Sequence, residues 1–186
     1  KEKIDQLNLP RYRLKNYLKD KDLSYLAYLT YKDLNLFNEA AVYLDAVRKI
    51  ENNDDLTKQA DELKNIISAY NSCKNDYDKA TTISNLDQIL ENIKQYNSKY
   101  SDLSKLLLIE GKVYQKLHVF SKNSENPDYL DKHQNNYYLT KAVSSFRKSF
   151  ELNRYEYITE TKSLILLDFS NDIRNIAKQL VKDGKE

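Results

Sequence analysis

Apolar residues recur three and four positions apart along almost the whole chain, and the interruptions are short clusters of Asn, Asp, Ser and Lys. That period predicts a succession of amphipathic helices joined by polar turns. An opening helix within residues 1–20 follows Pro10, a residue tolerated in a first helical turn, and carries Leu14, Tyr17 and Leu18 on one face. A hairpin comes next: Leu23 to Leu34, a turn around Asn35 to Asn38, then Glu39 to Ile50, ended by Asn52 to Asp55. A second pair runs from Leu56 to about Cys73 and from about Lys79 to Tyr96, with Lys74 to Asp78 as its polar joint. The third pair, Leu103 to Phe120 and Tyr137 to Leu152, is split by a long loop over residues 121–136 that holds Pro127 and several Asn. A last helix over 157–183 places Ile158, Ile165, Phe169, Ile173, Ile176 and Leu180 on one stripe and stops at Gly184, a residue suited to a helix C-terminus.

Composition sharpens this pattern into an all-α fold. Only two Gly and two Pro occur in 186 residues, too few for the turns and bulges of a many-stranded protein. The length suits one helical domain spanning 1–186. Thirty basic residues stand against 28 acidic ones, a net charge of +2, which argues against a dedicated nucleic-acid binder. The basic stretch from Arg11 to Lys21 reads as a solvated helix face. The longest apolar runs, such as Leu106 to Ile109 and Leu164 to Leu167, fall far short of the roughly 20 residues that span a bilayer. Methionine is absent throughout, so the natural start is expected upstream, together with any export signal or lipid anchor.

Little in the chain points to catalysis. The histidines, His118 and His133, lie on different segments without Cys or carboxylate at metal-ligand spacing, and read as a structural residue and a loop residue. Cys73, the single cysteine, forms no intramolecular disulfide and reads as a small packing residue. Paired carboxylates such as Asp54 and Asp55 sit where a helix N-terminus would use them. Phosphate-binding glycine loops, HExxH and GxSxG are missing. No catalytic residue, metal site or cofactor is expected.

Superposing the hairpins shows small and aromatic residues at matched points. Ala27, Tyr28, Tyr31, Phe37, Ala40, Leu44 and Val47 mark the first, Ile67, Ser68, Tyr77, Ala80 and Ser84 the second, and Gly111, Tyr114, Ala142 and Phe146 the third. At these residues the chain resembles the tetratricopeptide repeat family, whose helix-turn-helix unit of about 34 residues places small residues at helix crossings. The units are 21–54, 61–94 and 104–157, the last with its insertion at 121–136. Ser24, Lys64 and Leu107 replace the family's Trp, and its closing Pro is missing. The resemblance implies antiparallel hairpins stacked as a short, irregular array, an N-terminal helix at one end and a capping helix at the other.

It also implies a concave groove lined by the first helix of each unit, which in this family takes a peptide or partner segment. Helical spacing assigns to that groove Tyr25, Leu29 and Lys32, then Asn65, Ala69 and Ser72, then Leu108, Lys112 and Gln115. Tyr129 and Tyr137, at the insertion, are further partner-binding candidates, because tyrosine covers much area at small entropic cost. The Asn, Lys and Tyr bias together with irregular repeats resembles spirochaetal proteins of the Borrelia type, found in cell-envelope and infection-related complexes. The expected role is a non-enzymatic adaptor binding another protein, with homo-oligomers allowed and nucleic acid not. The alternative is a surface-exposed structural or host-ligand-binding bundle whose helices close on themselves and leave no groove.

Overall fold

The computed structural model describes residues 19–100 and 103–153, with 174, 175 and 178. Its helices are α1 (Lys21–Asp33), α2 (Phe37–Ile50), α3 (Asp54–Lys79), α4 (Ile83–Tyr100), α5 (Ser104–Ser121), α6 (Pro127–Gln134) and α7 (Tyr137–Asn153). No strand occurs among the described residues, and the fold is all-α. The opening helix within 1–20 and the capping helix over 157–183 lie outside the described residues, apart from the last two of the former and a few positions of the latter. Across the span read as one domain, the chain divides into two compact units, Lys1–Ser68 and Ala69–Glu186.

In the first unit, local chemistry sets where α1 begins and ends. The Asp20 carboxylate accepts from the Leu23 amide at 3.0 Å, an N-cap that satisfies one of the amides left open by the first turn. At the other end Asn35 adopts φ 57°. The Leu36 amide donates to the Tyr31 carbonyl and the Asn35 amide to the Lys32 carbonyl, both at 2.9 Å, the paired bonds of a Schellman stop. Asparagine tolerates that left-handed backbone better than most residues. The reversal brings α2 against α1. Ala27 and Ala40 are buried together with Tyr28, Phe37, Leu44 and Val47, and Tyr31 stacks on Tyr43 with ring centres 5.3 Å apart. The first part of α3 opens with the Asn53 side chain accepting from the Leu56 amide at 2.9 Å and buries Leu56, Leu63 and Ile66.

The second unit corrects two expectations. Lys74 to Asp78 is no connection: α3 runs through it to Lys79. Buried Ile66, Ala69, Cys73 and Ala80, with half-buried Tyr77, continue one stripe at three- and four-residue steps. Lys74, Asn75, Asp76 and Asp78 are the exposed face of that same helix. The break comes at Ala80 to Thr82, where the Thr82 hydroxyl accepts from the Asn85 amide at 3.2 Å. The 121–136 loop also holds a helix, α6. The Asn126 side chain accepts from the Asp128 amide at 3.1 Å, and Pro127 occupies the first turn.

Helices α5 and α7 form the main hairpin of this unit. The two helices pack tightly at Gly111, where a Cβ would meet Phe146 ring carbons at 2.5 Å. Around that point α7 is bonded to α5 by polar side chains: Ser149 Oγ donates to the Ser104 carbonyl and Ser145 Oγ to the Glu110 carboxylate, each at 2.7 Å. Leu86, Ile89 and Ile93 of α4 are buried alongside Leu106, Val113 and Leu117 of α5. Lys116 on α5 donates to the Ala80 carbonyl at 2.7 Å, just past the end of α3, where a cation is favourable. No helix among the described residues is long and apolar enough to cross a membrane.

Candidate interaction surfaces

The partner-binding positions expected from helical spacing divide in structural environment. On α1, Leu29 is exposed and Tyr25 half-buried, its ring 5.6 Å from that of Tyr28. Lys32 lies near the Tyr28 ring and pairs with Glu62 at 3.5 Å, so it holds α1 to α3. Asn65 and Ser72 are exposed on α3. Ala69 is buried, 2 % exposed, because it belongs to the inward stripe of α3, and it is removed from the partner-facing set. Leu108 is half-buried, with part of its side chain packed on the Leu139, Ala142 and Phe146 cluster of α7. Lys112 and Gln115 are half-buried on α5.

At the insertion, the Tyr129 hydroxyl donates to the Asp87 carboxylate of α4. That bond, reinforced by burial and the negative charges of Asp87 and Asp128, pushes the phenol up to about 12. Tyr137 is exposed on α7, edge-on to Tyr138, with the Lys141 ammonium 5.5 Å from its ring centre. Burial holds the Tyr138 hydroxyl well above its usual range, and the same cause pushes Tyr114 up to about 12. These phenols stay protonated at any physiological pH.

Helical phase placed Leu29 on the partner-facing side of α1 but left out Leu23 and Leu26, which extend the same exposed apolar surface. Leu23, Leu26 and Leu29 are 40, 56 and 39 % exposed at successive three-residue steps. The side turned away from Leu26 and Leu29 buries Ser24 and Tyr28, and buried Ala27 lies one turn from Leu23 at the border of the two faces. Asp22 and Asp33 are exposed on the same outer side. The signal was present in the sequence, since α1 carries leucine on the side away from its serine and tyrosine contacts. Only the burial of Ser24 and Tyr28 decided which side faces out.

The second missed feature is a histidine pair. His118, fully buried on α5, has its Nδ1 3.2 Å from Nδ1 of His133 on α6, with ring centres 4.4 Å apart. The segments that carry them are 15 residues apart in sequence, and only the docking of α6 on α5 joins them. Two imidazoles are too few for a closed metal site, and no group of three or more His, Cys, Asp or Glu gathers among the described residues.

An open polar recess of about 320 Å³ lies at the end of α3 and the start of α4, lined by Asp76, Lys79, Asn85, Gln88 and Asn92 with Ala80 and Ile89. The Gln88 amide donates to Asn92 at 3.1 Å, so part of its polar capacity is used internally. Cys73 is buried nearby in sequence, and burial followed by the Asp76 charge pushes its thiol up to about 11. Such a thiol is scarcely ionised at neutral pH and is a poor nucleophile. Alkylation by iodoacetamide at neutral pH is expected to run at least about a hundredfold slower in the native protein than in denaturant, the thiolate fraction falling about tenfold per unit of pKa and burial restricting access further. Equal rates, followed by mass spectrometry, would show Cys73 to be open and reactive.

Compared with protein-family models, curated proteins and solved structures, the chain matches none.

Proposed function

We propose that this protein is a non-enzymatic interaction module that binds another protein through a helical face. The observation that carries this reading is the outward leucine row of α1, Leu23, Leu26 and Leu29. Isolated exposed leucines are ordinary, but three in register on one face form a strip that gains free energy when an apolar partner surface covers it. Asp22 and Asp33 flank the strip, which suits a partner with leucine- or aromatic-sized anchors and basic residues at its rim. The side chains most able to do chemistry support the same reading. His118 and His133 face each other, and Cys73 is buried with a raised thiol.

The cell envelope is the compartment this proposal favours, on the resemblance of the chain to spirochaetal envelope proteins. The alternative is a surface-exposed structural or host-ligand-binding bundle without a groove, in which the exposed face of α1 would still be the contact surface.

The test compares the wild-type chain with Leu26→Asp and with Val119→Asp, an exposed control on α5. A partner recovered from an envelope extract of the native organism is identified, purified and titrated against all three. Leu26→Asp is expected to weaken binding by about thirtyfold or more, the scale of an interface anchor worth about 2 kcal/mol. Circular dichroism and melting should stay unchanged, and Val119→Asp should bind as wild type. Equal affinity for Leu26→Asp and wild type would remove α1 as the binding face.

A further inference from the structure

Helix α6 differs from its neighbours in what holds it down. It has eight residues and not one of them is fully buried, so the apolar burial that normally retains a short helix is small here, and a helix of this length is marginal by itself. Polar contacts help to seat it instead. Tyr129 and His133, four residues apart and therefore on one face, reach Asp87 on α4 and His118 on α5 respectively. The residue that ends the helix works against seating. Asn136 adopts φ 52° and is buried, and neither its amide nitrogen nor its amide oxygen has a hydrogen-bond partner among the described residues. Burying an unsatisfied carboxamide costs free energy that solvent would return on opening.

We propose that α6 is a pH-released strap, latched on α4 through Tyr129 to Asp87 and on α5 through His133 to His118, and unlatched when both imidazoles take up protons. The proton count fixes the direction. A neutral pair holds one hydrogen between the facing Nδ1 atoms and one on the accepting ring's Nε2. The first added proton goes to the donating ring's Nε2 and leaves the bond intact. A second must sit on the accepting Nδ1, which puts two hydrogens face to face and two cations at 4.4 Å between ring centres, one of them fully buried. The seated form therefore binds the second proton less readily than the open form. Stability of the seated form is present at higher pH and is lost as pH falls below the ordinary imidazole range of about 6.5.

The groups surrounding the inner side of α6 do not reverse that sign. Asp87 on α4, Glu110 on α5 and Asp128 on α6 bring negative charge to the tyrosines there, and Lys132 on α6 pairs with Asp128 at 2.9 Å. Tyr114 on α5, Tyr129 on α6 and Tyr138 on α7 are all raised and remain neutral through this range. The negative charge favours the first added proton and does nothing to part the two hydrogens that a second would bring together. Release bares the surface of α5 and α7 beneath the strap, including His118. Acidification is thus the signal, and a newly exposed hairpin face is the response.

Hydrogen exchange of the full chain, resolved by mass spectrometry at about pH 7.5 and about pH 5 and corrected for intrinsic rates, tests this. Amides of residues 128–136 are expected to exchange about tenfold faster per pH unit once opening takes up the extra proton, while α1 and α2 keep their protection. His133→Gln retains a donor for His118 and removes the titrating partner, and its α6 exchange is expected to be the same at both pH values, whatever its level. Unchanged wild-type exchange in α6, the same acid loosening in His133→Gln, or equal loosening of every helix would each overturn the proposal.

Discussion

Truncating Phe146 to alanine is expected to remove about 3–5 kcal/mol from the stability of the α5–α7 hairpin, the range for emptying a fully buried aromatic site. The ring clusters with Leu139 and Ala142 of α7, and Leu108 and Tyr114 of α5 pack against that cluster. Its edge lies where a side chain on Gly111 would be. The same contact predicts the converse change. Gly111→Ala places a methyl at 2.5 Å from two ring carbons, and overpacking of that kind costs about 1–3 kcal/mol, offset in part by the roughly 1 kcal/mol that alanine gains over glycine in a helix. In the Phe146→Ala background the methyl enters emptied space, and the substitution at Gly111 should then be neutral or stabilising. A double-mutant cycle read by native-state hydrogen exchange of α5 and α7 measures the coupling. Additive effects would mean that glycine and ring do not set one another's packing.

The first unit offers an equally sharp contrast within one helix. Leu44→Ala is expected to cost about 2–5 kcal/mol, whereas Val42→Ala, two residues earlier, should change stability by no more than about 0.5 kcal/mol. Both are aliphatic residues in the middle of α2. Leu44 is fully buried, in phase with Phe37, Ala40 and Val47, while Val42 is 56 % exposed. Two residues turn a helix by about 200°, so these side chains leave it on opposite sides. Urea unfolding of each variant, with exchange of α1 and α2 amides as the local readout, separates the two. Similar losses at both positions would place the wrong face of α2 against α1.

The helices themselves were legible because their stripes are long. In α1 and α2 the buried Ala27, Tyr28, Ala40, Leu44 and Val47 stand at the spacings that a 3.6-residue period demands, and Asn35 marks the stop between them. In α3 the same stripe was present through Ala69, Cys73 and Tyr77. The polar run from Lys74 to Asp78 was read as a connection because five residues cannot by composition distinguish a solvated helix face from a turn. Helix α6 was hidden for a related reason: eight residues with no buried stripe leave only Asn126 and Pro127 as a local start signal.

The candidate surface was less legible than the fold. Spacing placed Ala69 and Leu108 on an outward face because a repeat pattern states which residues share a side, not which side a neighbour covers. Once α7 packs on α5, Leu108 is partly covered by Phe146 and its cluster. Conversely, Leu23 and Leu26 were left out because a leucine at helical spacing normally faces a core, and the alanine and tyrosine beside them had already taken that role.

By itself, the sequence determined what depends on local chemistry and short periods: an all-α chain, the hairpin turn at Asn35, and the absence of the motifs that phosphate-binding and hydrolytic sites require. Tertiary structure decided what depends on which surfaces meet. It joined His133 to His118 and Tyr129 to Asp87, seated α6 without a buried residue, closed Phe146 over Gly111, and left the leucines of α1 facing out. The division follows from range: a helix forms from interactions within a few residues, whereas burial and proton sharing are properties of pairs that the chain brings together only by folding.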